Sequence, residues 1–210
     1  MMLFKDRQDA GRQLAAALKG YRGQNPVVLA IPRGGVIVAL PVARDLDGEL
    51  DLLIPRKVGL PANPELAAAA VAPDGTVIYN YRVLQAYNVT SADLKGAIAA
   101  ELAEIKRRQA LYRGSRPHPD IKDRVVIVVD DGIATGLTIA AALTSLRNKK
   151  PGHLVLAVPV APPESLEILA PLVDDLVCLA SPEPFYAVGQ FYEDFRQVAD
   201  TEVRACLGLN

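Results

Sequence analysis

The chain has 210 residues, half of them apolar, with 23 Lys and Arg against 24 Asp and Glu. That is enough for one well-buried domain and too little for a second complete one. The near-balance of charge argues against a nucleic-acid surface or an acidic tail, and no apolar run approaches the roughly 18 residues of a membrane span. The opening residues Met1-Met2-Leu3-Phe4-Lys5-Asp6 lack the apolar core of a signal peptide. Cys178 and Cys206 are the only cysteines. Two scattered thiols suit reduced packing in a cytoplasmic protein, with a disulfide left open. His118 and His153 stand far apart and in no metal-ligand spacing.

Asp6 is placed to cap a first helix reaching about Gly20, with Leu14, Ala17 and Leu18 on one face. The apolar run Val27 to Ile31, between Pro26 and Pro32, reads as a buried strand. A helix from about Gly35 to Arg44 contains Pro41, which predicts a kink or an early stop. Leu50 to Pro55 reads as a second strand, and the Gly- and Pro-containing stretch Val58 to Pro64 as a loop. Leu66–Val71 and Thr76–Tyr79 form a hairpin candidate around Pro73-Asp74-Gly75. Leu94, Ile98, Leu102 and Ile105 mark the longest helix, Ser91 to about Arg113, with Ser91 as a candidate cap.

Val125 to Val129 is five consecutive β-branched residues and the clearest strand in the sequence. A helix from about Leu137 to Asn148, a strand from Leu154 to Val160, a short helix from Pro163 to Ala170 and a core strand from Leu176 to Leu179 follow. Beyond Ser181 lie five of the eleven aromatic residues: Phe185, Tyr186, Phe191, Tyr192 and Phe195. The alternation predicts an α/β fold with a central, mainly parallel sheet flanked by helices. It predicts a single domain over residues 1–210, with a core of about 25–180.

After the clearest strand come Asp130, Asp131, Gly132, Ile133, Ala134, Thr135, Gly136, Leu137 and Thr138. A buried strand thus delivers two carboxylates to the carboxyl edge of the sheet, where α/β folds bind ligands. The small-residue loop lets backbone N–H groups approach an anion at a helix start, and Thr135 and Thr138 add hydroxyl donors. Carboxylates suit diol hydroxyls, so one ligand with a sugar diol and a phosphate satisfies the whole segment. The bland alternative is a Val-rich strand ending in a capped turn; acidic strand ends also hold Mg²⁺ in other α/β enzymes. Pro32-Arg33-Gly34-Gly35, at the same edge after the first strand, offers close backbone approach and a fixed positive charge.

The segment Val125 to Thr138 closely resembles the donor-binding motif of type I phosphoribosyltransferases. The resemblance covers roughly Val27 to Leu179 and implies that family's fold, with a small hood over residues 181–210, to which N-terminal residues could contribute. It implies transfer of a 5-phosphoribosyl group from 5-phosphoribosyl 1-pyrophosphate to a nitrogenous acceptor, with Mg²⁺ held mainly by donor and water and not directly by the protein. Asp130 and Asp131 would sit beside the ribose hydroxyls, either one able to act on an acceptor proton, and Gly132 to Thr138 would cradle the 5-phosphate. Gly132 departs from the family's usual apolar residue or serine. Arg33-Gly34-Gly35 would be the pyrophosphate loop, with an unusual peptide geometry at Pro32-Arg33. Arg33, Asp130 and Asp131 are the candidate catalytic residues.

Arg56 and Lys57 stand where the family's mobile loop begins, a place to neutralise pyrophosphate, with Val58 to Pro64 as a lid and Glu65 as an aid to its placement. The tail Phe185 to Arg196 resembles the acceptor-binding hood of purine-salvage members, which implies that Phe185 or Tyr186 stacks on a flat acceptor. The lysine those enzymes use to read a 6-oxo group is missing from Val158-Pro159-Val160-Ala161-Pro162-Pro163. Neither nucleic acid nor membrane is expected as a partner, and a homodimer is an assembly the resemblance leaves open. The rival reading is a non-catalytic regulator or sensor of the same donor.

Overall fold

The computed structural model describes residues 2–209. Five strands build the central sheet: β1 (Val27–Ala30), β2 (Glu49–Leu52), β6 (Val125–Val129), β7 (His153–Val160) and β8 (Asp175–Ala180). Their order is β2-β1-β6-β7-β8, and every neighbouring pair is parallel. The chain leaves β1 for β2 on one side and returns at β6 on the other. The carboxyl ends of β1 and β6 therefore meet where the strand order reverses, the crevice at which such sheets bind ligands.

Side chains of one strand alternate between the two faces. Val28, Ala30, Ile127, Val129, Val155 and Ala157 pack with α1 (Arg7–Ala17), α2 (Gly34–Asp45) and α7 (Asp200–Cys206). Val27, Leu29, Val126, Val128, Leu154 and Leu156 pack with α5 (Leu137–Asn148) and with Leu169 of α6 (Pro163–Leu169). The Asp6 side chain caps α1 by accepting from the Asp9 N–H. Helix α2 runs past Pro41 to Asp45, so the expected early stop does not occur. There α1 crosses close to α2: a Cβ on Gly11 would lie 2.5 Å from Pro41 Cγ and 2.5 Å from Val38 O.

Between β2 and β6 the chain builds a second, antiparallel sheet of β3 (Arg56–Leu60), β4 (Asn63–Val71) and β5 (Val77–Tyr79). The expected hairpin around Pro73-Asp74-Gly75 is present, closed by Ala72 N–H to Thr76 O and Gly75 N–H to Ala72 O. The expected loop Val58–Pro64 is instead a hairpin, with irregular register on both sides of Gly59. A Cβ on Gly59 would lie 2.2 Å from Pro64 O, so the glycine is what lets the proline-bearing strand close up. Helix α3 (Tyr81–Ala86), capped by the Asn80 side chain, was not expected. It precedes α4 (Lys95–Arg113), the longest described helix, which begins at Lys95 and not at a Ser91 cap. The Ala67–Ala70 run of β4 lets α4 and α5 approach this sheet from opposite faces.

Candidate active site

The structure brings the two glycine-containing segments of the sequence together at the β1–β6 crevice. A Cβ on Gly34 would stand 1.8 Å from Asp131 Oδ2, and one on Gly35 would stand 2.9 Å from Asp130 Cα. Both glycines open α2, so the start of this helix lies directly against the acidic turn. The peptide bond Pro32-Arg33 is cis, the unusual geometry the resemblance implies. Gly34→Ala is expected to cost at least about 1–3 kcal/mol by overpacking, since the carboxylate beside it must move. A urea denaturation midpoint unchanged from wild type would show that the turn yields freely.

The carboxylates differ in their surroundings. Asp130 accepts the N–H of Asp131 through Oδ1 at 2.8 Å. Asp131 is fixed by Arg7, whose Nε donates to Oδ2 at 2.6 Å. Arg7 also donates from Nη1 to Arg196 O at 2.9 Å and lies 3.8 Å from the centroid of the Phe195 ring. Tyr192 donates its hydroxyl to Asp131 O at 2.6 Å. Burial pushes the Asp130 carboxyl well above the usual carboxylate range, and the charge of Asp131 adds to this. Burial also raises Asp131, but the Arg7 guanidinium pulls against it. The Tyr192 hydroxyl is pushed far up by burial and then by the charge on Asp131.

The loop after the acidic turn has a clear hydrogen-bond pattern. Ile133 N–H pairs with Val160 O at 3.0 Å, which removes it from any cradle. The next five amides, Ala134 to Thr138, have no backbone acceptor among the described residues. Ser165 Oγ holds the loop by donating to Ala134 O at 2.8 Å. Gly136 caps α5 in the left-handed region at φ 72°, which a β-carbon resists. A run of free amides at the first turn of a helix suits an anion. A Cβ on Gly132 would lie 2.4 Å from Val188 Cγ1, so a valine of the tail fills the space a side chain at 132 would take.

Other expected site residues are engaged with other neighbours or exposed. Arg33 Nη1 lies 3.6 Å from Asp200 Oδ1 of α7, and Asp200 also accepts from the Tyr112 hydroxyl. Arg56 pairs with Glu101 of α4 at 2.7 Å. Lys57 Nζ donates to Glu65 O at 3.0 Å. Both basic residues sit on the first strand of the β3–β4 hairpin, engaged with neighbours there. Phe185 packs on Phe191, ring centroids 5.0 Å apart, while Tyr186 is 83% exposed. The tail is bound to the N-terminus through Phe4 N–H to Phe191 O and Glu193 N–H to Phe4 O. A cleft of about 550 Å³ lies on the outer face of α1 and α2 and includes neither Asp130 nor Asp131.

Sequence reasoning missed Arg7 as part of this site, and placed Val188, Tyr192 and Phe195 in the hood segment without their contacts to the acidic turn. Arg7 carried a signal of its own: a cation in the first helical turn stands against the helix dipole.

The phosphoribosyl transferase domain model matches residues 4–175. Two strains of Mycobacterium tuberculosis carry a protein named "Putative phosphoribosyl transferase" that is 43% identical over 207 residues, 99% of this chain. The chain spans about half, 47%, of the length of those relatives. The crystal structure of TT1426 from Thermus thermophilus is 43% identical, with a TM-score of 0.83 and 98% of each chain covered. A Staphylococcus aureus hypoxanthine phosphoribosyltransferase shares the fold alone, at 13% identity and a TM-score of 0.51 over 87% of this chain and 77% of that one. With the parallel sheet, its flanking helices and the two segments at the switch point in place, this chain belongs to the phosphoribosyl transferase family and has the type I fold.

Proposed function

We propose that the chain transfers a 5-phosphoribosyl group from 5-phosphoribosyl 1-pyrophosphate to a small nitrogenous acceptor and releases pyrophosphate. The observation that carries this reading is the run of free amides from Ala134 to Thr138, set after two carboxylates at the β1–β6 crevice. The amides suit the 5-phosphate, Asp130 suits the ribose hydroxyls, and Gly34 and Gly35 suit the approach of pyrophosphate. Only residues 134–138 of the expected cradle then contribute amides, since Ile133 is paired in the sheet. On this reading residues 181–210, with the N-terminal strand-like residues, form the hood over a core of about 25–180.

Mg²⁺ fits the site as a companion of the donor. Among the described residues no three His, Cys, Asp or Glu side chains converge on one point, and Asp131 is already paired with Arg7. The ion would take most of its oxygens from pyrophosphate and water, and would offset the charge that develops on the leaving group. Arg33 assists only if it exchanges Asp200 for the donor. Arg56 and Lys57 belong to a hairpin, so closure over the site would move a β-ribbon and not a loose loop.

The acceptor would enter between the end of β7 and the tail, where a cleft of about 450 Å³ is lined by Pro162, Glu164, Glu183, Pro184 and Phe185. Its charged groups are hydrogen-bond acceptors, and no lysine stands there to read a 6-oxo group. Hypoxanthine and guanine are expected to react at least about a hundredfold less efficiently than the best acceptor, because unpaired polar groups are rejected strongly. A pyrophosphate-release assay over purines, pyrimidines and small amines tests both points. Efficient turnover of hypoxanthine would overturn the acceptor argument. Tight donor binding with no turnover of any acceptor would favour a sensor, a reading that the internal pairing of Arg33, Arg56 and Lys57 supports.

A further inference from the structure

Two adjacent carboxylates in a closed turn do not share their burden equally here. Arg7 reaches Asp131 from the first turn of α1, is itself buried, and spends its other contacts on Arg196 O and the Phe195 ring. Its Nε would lie 2.7 Å from a Cβ on Gly34, so the guanidinium sits in the wedge between the acidic turn and the start of α2. Asp131 has its backbone carbonyl fixed as well, by the Tyr192 hydroxyl. Among the described residues Asp130 has no ion-pair partner, and the Arg7 charge acts on it only from a distance: its Oδ1 accepts one backbone N–H.

We propose that Arg7 is a positioning residue that divides the work of the pair, holding Asp131 as a fixed, ionised anchor and leaving Asp130 as the carboxyl that meets the donor and exchanges a proton. This rests on the donor reading above. The Arg7 guanidinium holds Oδ2 of Asp131 through one charged hydrogen bond, which favours the ionised form of that carboxyl over its neighbour's. The carboxyl without a counter-charge, next to a fixed negative neighbour, is the one whose proton affinity rises toward the working range. The groups that face this pair are few. Helix α1 gives Arg7, and the tail gives the Tyr192 hydroxyl and the Arg196 carbonyl. Helix α7 gives Glu202, whose charge reaches Arg7, while α2 presents Gly34 and Gly35 and the Arg33 charge is turned to Asp200.

Two measurements test this. Carboxyl-carbon NMR titration of the wild-type chain, with no ligand, should show Asp131 ionising at lower pH than Asp130; the reverse order would overturn the proposal. Calorimetric Kd values for 5-phosphoribosyl 1-pyrophosphate with Mg²⁺ are then compared across pH for wild type, Arg7→Lys, Arg7→Met and Arg7→Met/Asp131→Asn. Donor binding needs ionised Asp130, so affinity should rise with pH through its titration. Without Arg7 the two carboxylates compete for one proton, and the midpoint in Arg7→Met should move up by about one pH unit or more. Asp131→Asn in that background removes the second charge and should bring the midpoint back. Arg7→Lys, which keeps the charge but loses the fork, should fall between. If Arg7→Met does not fold, the NMR order and the lysine variant still decide. A lowered melting temperature with an unmoved midpoint would make Arg7 merely structural. Absence of donor binding by wild type, with the NMR order as expected, would sink the donor reading and the role assigned to Asp130 while sparing the anchor.

Discussion

Arg113→Met is expected to destabilise the chain by about 3–5 kcal/mol, as breaking a buried ion pair at one partner does. Asp51 lies on β2 at 1% exposure and Arg113 ends α4 at 5%. The guanidinium meets the carboxylate with two parallel bonds, Nε to Oδ1 at 2.8 Å and Nη2 to Oδ2 at 2.9 Å. It also donates to Pro117 O and lies 3.1 Å from His118 Nε2. Burial, and then the charge of Arg113, lower the His118 pKa, so this ring stays neutral through most of the physiological range. Methionine matches the stem of Arg113 but leaves the buried Asp51 carboxylate without its guanidinium, with His118 Nδ1, 3.6 Å from Oδ2, as the nearest group able to carry a counter-charge. Changing both residues, Arg113→Met with Asp51→Leu, removes the orphan charge and should recover much of the loss. Urea denaturation of the two variants beside wild type decides. A single-variant cost below about 1 kcal/mol would show that water or rearrangement compensates Asp51.

The second large effect is at Asp130, where stability and binding should move in opposite directions. The carboxyl is raised in the folded chain, so folding favours its protonated form. Its stabilising contribution is present below the unfolded carboxylate pKa, and is lost as pH rises through the folded value. Near neutral pH the ionised group is thus a cost to the fold, and Asp130→Asn should be at least as stable as wild type. Asparagine still accepts the Asp131 N–H. Donor affinity should nonetheless fall about ten- to a hundredfold, since a charge-assisted hydrogen bond contributes roughly 1.5–3 kcal/mol. Asp131→Asn should behave differently and lower stability, because it leaves Arg7 buried without its counter-charge. Thermal melts beside calorimetric titrations would show the contrast; an unstable Asp130→Asn would mean that the carboxylate itself supports the turn.

The sheet was legible where local signals agree with the final packing. Val125 to Val129 combines strand propensity with burial on both faces, and pattern and position coincide. Val27 to Ile31 was legible as well, bounded by prolines that fix its ends. The β3–β4 hairpin was hidden because its local signals are those of a loop: Gly59, Pro61 and Pro64. Their strand geometry depends on the close contact of Gly59 with Pro64 and on apolar neighbours from α4. Pro41 read as a kink or an early stop because sequence cannot show that Gly11 of another helix receives that turn of α2.

The same division holds at the site. Asp130, Asp131 and the loop to Thr138 are contiguous in sequence, so their order alone disclosed an acidic turn followed by a helix start. Their apposition to Gly34 and Gly35 followed from strand order. The Arg7 clamp and the Val188 plug over Gly132 join residues 124 and 56 positions apart, by tertiary packing that leaves no spacing to read. Arg33 was expected to face the crevice as free charge, and α7, a short helix without a strong sequence signature, supplies the Asp200 it meets.

The most direct test of the account is a crystal structure of the chain with 5-phosphoribosyl 1-pyrophosphate and Mg²⁺. The 5-phosphate is expected within hydrogen-bond distance of the amides from Ala134 to Thr138, with the ribose hydroxyls on Asp130 and the pyrophosphate beside Gly34 and Gly35. A donor bound elsewhere, with those amides still without an acceptor, would contradict it.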